Sequence, residues 1–172
     1  MTISRDLETI WPDLNAYARS ICDQPTDAED LVQDAVERVL KARDVPTAKE
    51  RLRPFMFRVI RNLFYDELRK RRIRKEYSNS QKRLISESSP VFQADDAILI
   101  RRAYEKLPPS AREILFLVDI MDFRYAEAAE ILNVPPGTIM SRVSRARKRL
   151  IELIDGAPQK DENERTNARR ER

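Results

Sequence analysis

Apolar residues along this chain recur three and four positions apart, and the alternation that a strand needs is nearly absent. Leu31, Val32, Ala35, Val36, Val39 and Leu40 fall as adjacent pairs four apart, which places one apolar stripe along a helix. Thr26 or Asp27 is suited to cap its start, where early carboxylates face the positive end of the helix dipole. Pro46 lies in the break that follows, and Pro54 suits the first turn of the next helix, predicted over about Leu52 to Lys75. Phe55, Val59, Ile60 and Leu63 form its apolar side, while Arg58, Arg61, Tyr65, Arg69 and Arg72 share the opposite face. An earlier stretch around Ile10, Trp11, Leu14, Tyr17, Ala18 and Ile21 supplies a third amphipathic helix. The three can bury one another as a bundle.

Residues 76 to 96, with five serines and little periodicity, read as a linker. Helical spacing resumes with Ile98, Leu99, Ala103, Tyr104 and Leu107 and stops at Pro108-Pro109. An apolar helical block from Ala111 to Met121 comes next. Two short helices follow, about Arg124 to Leu132 and Thr138 to Ile154, joined by Asn133-Val134-Pro135-Pro136-Gly137. The last segment, 157 to 172, has almost no apolar content and is expected to be disordered. The expected fold is all-α: two small helical domains, 1–75 and 97–156, joined by a flexible linker over 76–96 and followed by a tail over 157–172.

The paired short helices carry the most specific signal. Ala128 and Ala129 permit close approach, and Ile131, Leu132, Val134, Ile139 and Val143 supply a shared apolar seam. Thr138 is expected to cap the second helix, whose outward positions are Met140, Ser141, Ser144, Arg145 and Lys148. A helix-turn-helix needs this division, polar and basic side chains toward the groove and apolar ones behind. Thr138 and the free amides beside it suit a phosphate. Arg145 suits a guanine edge, and Arg142, Arg147 and Lys148 suit phosphates.

Charge is segregated, and this sharpens the picture more than the net +4 does. Six acids and no bases lie between Asp23 and Glu37, six of seven residues from Arg69 to Lys75 are basic, and five bases with no acid lie between Thr138 and Leu150. The pattern suggests one acidic surface for a protein partner and two basic ones for nucleic acid. On residues alone the acidic stripe also fits an ordinary solvated face. The Arg58, Arg61, Asn62, Tyr65 and Arg69 face fits either nucleic acid or solvent, and the Arg69–Lys75 run also fits a helix end complementing its dipole.

Absences narrow the function. With no histidine and one cysteine, Cys22, the chain holds no zinc site of those ligands, no histidine base and no internal disulfide, and it fits a reducing cytoplasm. Two glycines, Gly137 and Gly156, cannot build a phosphate-binding loop. No apolar run approaches the roughly 18 residues of a membrane span, so no membrane insertion is expected. No catalytic residue, metal site or cofactor is expected.

In order along the chain, these segments resemble the extracytoplasmic-function (ECF) group of bacterial sigma-70 family sigma factors, from about Leu7 to Leu153. DAEDLVQDAVERVLKA, residues 27 to 42, resembles the helix with which sigma domain 2 grips the clamp helices of the largest polymerase subunit. The resemblance implies polymerase contacts at Asp30, Leu31, Gln33, Asp34 and Glu37. PFMFRVIRNLFYDELRKRRIRK resembles the segment that melts and reads the downstream promoter element, which implies contacts from Arg58, Arg61, Asn62, Tyr65, Asp66, Arg69 and Arg72. LPPSAREILFLV with the helix-turn-helix is similar to sigma domain 4. Gly137, Thr138, Ser141, Arg142, Arg145, Ala146 and Arg147 match its GTxxSRxxRAR pattern. Thr138, Met140, Ser141, Arg142, Ser144, Arg145, Arg147 and Lys148 are thereby implied at the upstream element. Phe55 stands where the family often has tryptophan, and Asp122-Phe123-Arg124 replaces the usual glycine and small polar residue.

The resemblance implies a cytoplasmic, non-enzymatic transcription initiation factor. Its implied partners are core polymerase (the clamp helices, and the flap of the second-largest subunit), promoter DNA and an anti-sigma factor, in a stress or envelope response. A flipped base is expected near residues 43 to 53. The alternative from the residues is a free-standing helix-turn-helix regulator, which needs no acidic docking helix. A protein-interaction module whose basic helices never touch DNA is a third reading.

Overall fold

The computed structural model describes residues 2–42, 44–46, 48–77 and 96–156, and every regular element among them is helical. Helices α1 (Thr2–Ile21), α2 (Pro25–Lys41) and α3 (Lys49–Tyr77) pack on one another. α4 (Asp96–Glu105), α5 (Pro109–Leu115), α6 (Tyr125–Leu132) and α7 (Pro136–Ile154) form a second group, with α7 packed against the other three. The linker, apart from its ends, and the 157–172 tail lie outside the described residues.

Local chemistry explains the helix ends. α2, α5 and α7 each begin with proline, whose missing N–H costs nothing in a first turn. Gln24 therefore takes the cap position before α2, where Thr26 or Asp27 was expected, and Pro135 takes it before α7, so Thr138 lies inside the first turn. The Thr138 amide is already spent on the Pro135 carbonyl at 2.9 Å, which removes it from any phosphate. α6 starts with Glu127 accepting the Arg124 backbone N–H at 2.8 Å and ends on Asn133 at φ 51°, a left-handed stop that asparagine tolerates. α3 begins at Lys49, earlier than expected, so Pro54 sits in its second turn.

Inside the first group, Leu14, Tyr17, Ala18, Ile21, Ala28, Val32, Ala35, Leu52, Met56, Phe57 and Ile60 are all fully buried or nearly so. At about 1.5–3 kcal/mol for each large side chain, this burial is what assembles the bundle. The inward side of α3 is rotated from the expected one: Met56 and Phe57 point into the core, whereas Phe55 and Val59 are half-buried. Trp11 stays exposed. In the second group the expected seam forms, with Ile131, Leu132, Ile139 and Val143 buried and Val134 half-buried.

The two groups are not separate bodies. α1 packs on α5, α3 packs on α6, and the buried apolar residues of both halves form one contiguous cluster. The expected Ala111–Met121 helix turns out to be α5 followed by a wide π-helical turn, Phe116–Ile120. The Met121 N–H reaches back five residues to the Phe116 carbonyl at 2.9 Å, and the Phe123 N–H six residues to Leu117 at 3.0 Å. Asp122 follows at φ 55°. That geometry aims Phe116 at Tyr17 and Phe123 at Phe57, with ring centres 5.9 and 5.8 Å apart.

Candidate nucleic-acid interface

On α7 the outward side chains are those expected: Met140, Ser141, Ser144, Arg145 and Lys148 are exposed, with Ile139, Val143 and Ala146 buried behind them. Ser141 donates to the Thr138 carbonyl at 3.0 Å and Arg145 to the Ser141 carbonyl at 3.2 Å, which lays both along the helix face. Arg147 is engaged inside its own half, where its guanidinium meets Asp119 of the wide turn at 3.2 and 2.5 Å. Arg142 is half-buried, and its charge acts to lower the Tyr65 hydroxyl.

On α3, six of the seven residues expected at the downstream element come together. Arg61, Asn62, Tyr65, Asp66, Arg69 and Arg72 line one groove of about 900 Å³ with Leu68, and Asn133 of the α6–α7 turn forms part of its wall. Arg58 is exposed outside the groove. Asp66 and Arg69 pair with each other one turn apart. The Arg61 guanidinium lies 4.7 Å from the Tyr65 ring centre.

Two of the groove residues, Arg61 and Tyr65, also belong to a buried polar cluster that the sequence does not announce. Glu113 of α5 is 1% exposed and accepts hydrogen bonds from the Tyr17 hydroxyl at 2.6 Å and the Tyr65 hydroxyl at 3.0 Å. Arg61 completes the set with an ion pair to Glu113 at 3.2 Å. Burial pushes the Glu113 carboxyl above its ordinary value, while the two tyrosine hydroxyls, Arg61 and Arg142 pull it down. Burial likewise drives the Tyr17 and Tyr65 hydroxyls up, with Glu113 adding to both.

Two further contacts tie the halves. Arg112, 4% exposed, donates to the Ile21 carbonyl at 2.9 Å and to Asp23 at 2.7 Å. Arg53 is paired to Asp13 at 2.9 Å and stacks over Phe123, its guanidinium 5.0 Å from the ring centre. The departure at Asp122-Phe123-Arg124 therefore has a structural role, since Phe123 is a wedge against the other half.

The expected polymerase-contact residues lie apart from all of this. Asp30, Gln33, Asp34 and Glu37 are exposed on α2, and Leu31 is half-buried. Lys41 pairs with Glu37 and, by its hydrogen bond and its charge, holds that carboxyl below the usual range.

The Sigma-70 region 2 family model matches residues 8–74, and the Sigma-70, region 4 model matches residues 97–150. The ECF RNA polymerase sigma factor EcfG of Rhodopseudomonas palustris is 37% identical over 155 residues, spanning 88% of this chain and 86% of that one. The chain belongs to the ECF group of the sigma-70 family. It is an RNA polymerase sigma factor, a class that is not enzymatic. This sigma factor is also 29% identical over 161 residues to SigM of Bacillus subtilis, covering 90% of the chain and 96% of the relative. Sigma factor RpoE of Bartonella quintana, solved with the anti-sigma factor NepR, superposes with a TM-score of 0.72 at 31% identity, over 91% of this chain and 98% of that one. The PhyRSL–NepR complex from Sphingomonas has a TM-score of 0.64 at 15% identity, which shows the shared fold alone. No helix among the described residues is long and apolar enough to cross a membrane.

Proposed function

We propose that residues 1–75 act as sigma domain 2 and residues 97–156 as sigma domain 4, joined by the 76–96 linker. The exposed acids of α2, with Leu31 beside them, dock on the clamp helices of the largest polymerase subunit in the cytoplasm. Domain 4 meets the flap of the second-largest subunit and sets α7 into the upstream major groove. Arg145 and Ser141 face base edges with Met140 and Ser144, while Lys148 and Arg142 meet phosphates. Arg61, Asn62, Tyr65, Asp66, Arg69 and Arg72 hold the unstacked downstream element, and Arg58 contacts backbone outside the groove. A base held on Tyr65 contributes on the order of 1–3 kcal/mol, comparable to the cost of unstacking it. Binding energy alone opens the duplex.

The observation that carries this reading is the gathering of six expected downstream contacts into one groove. Control by an anti-sigma factor is supported by the similarity to RpoE, a sigma factor solved with one. A free-standing regulator would have no use for the acids exposed along α2. Run-off transcription on fragmented host DNA, with core polymerase with and without this protein, tests the proposal. New transcripts sharing an upstream and a downstream element are expected, and silence from a folded chain that binds duplex DNA unaided would overturn it.

A further inference from the structure

One side chain of α7 breaks the division into a polar outside and an apolar back. Met140 is 67% exposed, more than any other large apolar side chain among the described residues, while Ile139 beside it is fully buried. It belongs neither to the buried cluster nor to the half-buried residues packed against that cluster. Four residues are exposed in the first two turns of the helix, Pro136, Gly137, Met140 and Ser141, and Met140 alone among them has a long side chain. Those turns are the ones from which a recognition helix reaches base edges. Ser141 and Arg145 each donate to a carbonyl one turn back, which holds them along the helix beside it. Packing within the chain gives Met140 no partner, so its partner lies outside.

We propose that Met140 is a specificity-determining residue of the upstream element, which selects a thymine by its 5-methyl group. This rests on the assignment of α7 to the upstream major groove. Seen from that groove, base-pair edges present hydrogen-bond donors and acceptors, and the thymine methyl is the apolar exception. A thioether donates nothing and accepts weakly, so against a guanine, adenine or cytosine edge it would strip water from polar atoms without replacing it. Against a methyl it buries apolar surface on both partners. Its unbranched chain, with three rotatable bonds, adapts to the fit. Met140 and Arg145 are five residues apart, about 7.5 Å along the helix. At about 3.4 Å per base pair, the selected thymine, on either strand, lies within two or three base pairs of the base that Arg145 faces. Losing one methyl from the contact should weaken binding roughly fourfold.

The test uses the full chain bound to core polymerase. A pool of duplexes randomised through the upstream element is selected by retention on this complex. Each thymine of the retained sequence is then replaced singly by deoxyuridine, which removes the 5-methyl group and leaves pairing intact. Affinities are read by competition against the labelled parent duplex. At one thymine the replacement is expected to weaken binding roughly fourfold. With Met140→Ala, a change on an exposed side chain, the parent duplex should weaken by the same factor, and that replacement should then have no effect. A retained element without thymine, deoxyuridine tolerated at every position, or a penalty that survives in Met140→Ala would each overturn the inference. Arg145→Ala separates it from the assignment it rests on. Weaker binding by that variant while deoxyuridine is tolerated leaves α7 as the upstream reader and overturns the thymine contact alone. Unchanged binding by that variant, or a pool from which no duplex is retained, overturns the placement of α7 and the contact with it.

Discussion

Replacing Tyr17 with phenylalanine deletes one oxygen from the centre of the molecule and little else. The ring keeps its stack on Phe57, with centres 4.5 Å apart and planes 20° from parallel, and its tilted contact with Phe116. What goes is the 2.6 Å hydrogen bond to Glu113, between a fully buried hydroxyl and a carboxyl 1% exposed. A hydrogen bond to a charged group is worth about 1.5–3 kcal/mol. Solvent screening removes none of that here, but Tyr65 at 3.0 Å and Arg61 at 3.2 Å remain on the same carboxyl. The lower part of the range applies, about 1.5–2 kcal/mol. With a urea slope of about 2 kcal/mol per molar, the unfolding midpoint followed by circular dichroism should fall by somewhat under 1 M, roughly 0.8–1 M. Phenylalanine at Tyr65, which is half-buried, should cost less. A Tyr17→Phe midpoint within about 0.2 M of the parent's would refute the claim that this cluster is a net stabilising contact between the halves.

Other outcomes follow from the same geometry. Arg145→Ala should weaken upstream-element DNA several-fold in a salt-titrated shift assay. Arg147→Ala should act first on the wide turn through its lost Asp119 pair, by no more than about 1 kcal/mol for a partly exposed pair. The thiol of Cys22 is pushed up to about 11, chiefly by burial, so native alkylation at pH 8 should run about a hundredfold slower than for an unfolded control. Equal rates would show that Cys22 is open to solvent.

Helical spacing made the elements and both seams readable, because Val32, Ala35 and Val39, or Ile131, Ile139 and Val143, are spaced so that only one face can be buried. The α7 outward face was legible for the same reason. The contact between the halves was not, since it is built from residues that composition assigns to solvent. Arg112 and Glu113 sit in an apolar block where periodicity treats them as a polar interruption, and their burial depends on partners 91 and 96 residues away. Tyr17 on the apolar side of α1 was the available hint, a buried hydroxyl that needs an acceptor. Pro54 misled the start of α3, and the rotation that buries Met56 and Phe57 follows from packing against α1.

The wide turn at Phe116–Ile120 sets the phase of everything after it. A π-helical turn holds one more residue than an α turn, so each side chain beyond it is offset by about 100° from where a regular helix would place it. Deleting Val118 would let α5 run on as ordinary helix and would swing Phe123 away from Phe57 and Arg53, while α6 and α7 kept their own seam. A single codon thus separates a chain whose two halves address each other from one whose halves are merely tethered, with α7 unaltered in sequence.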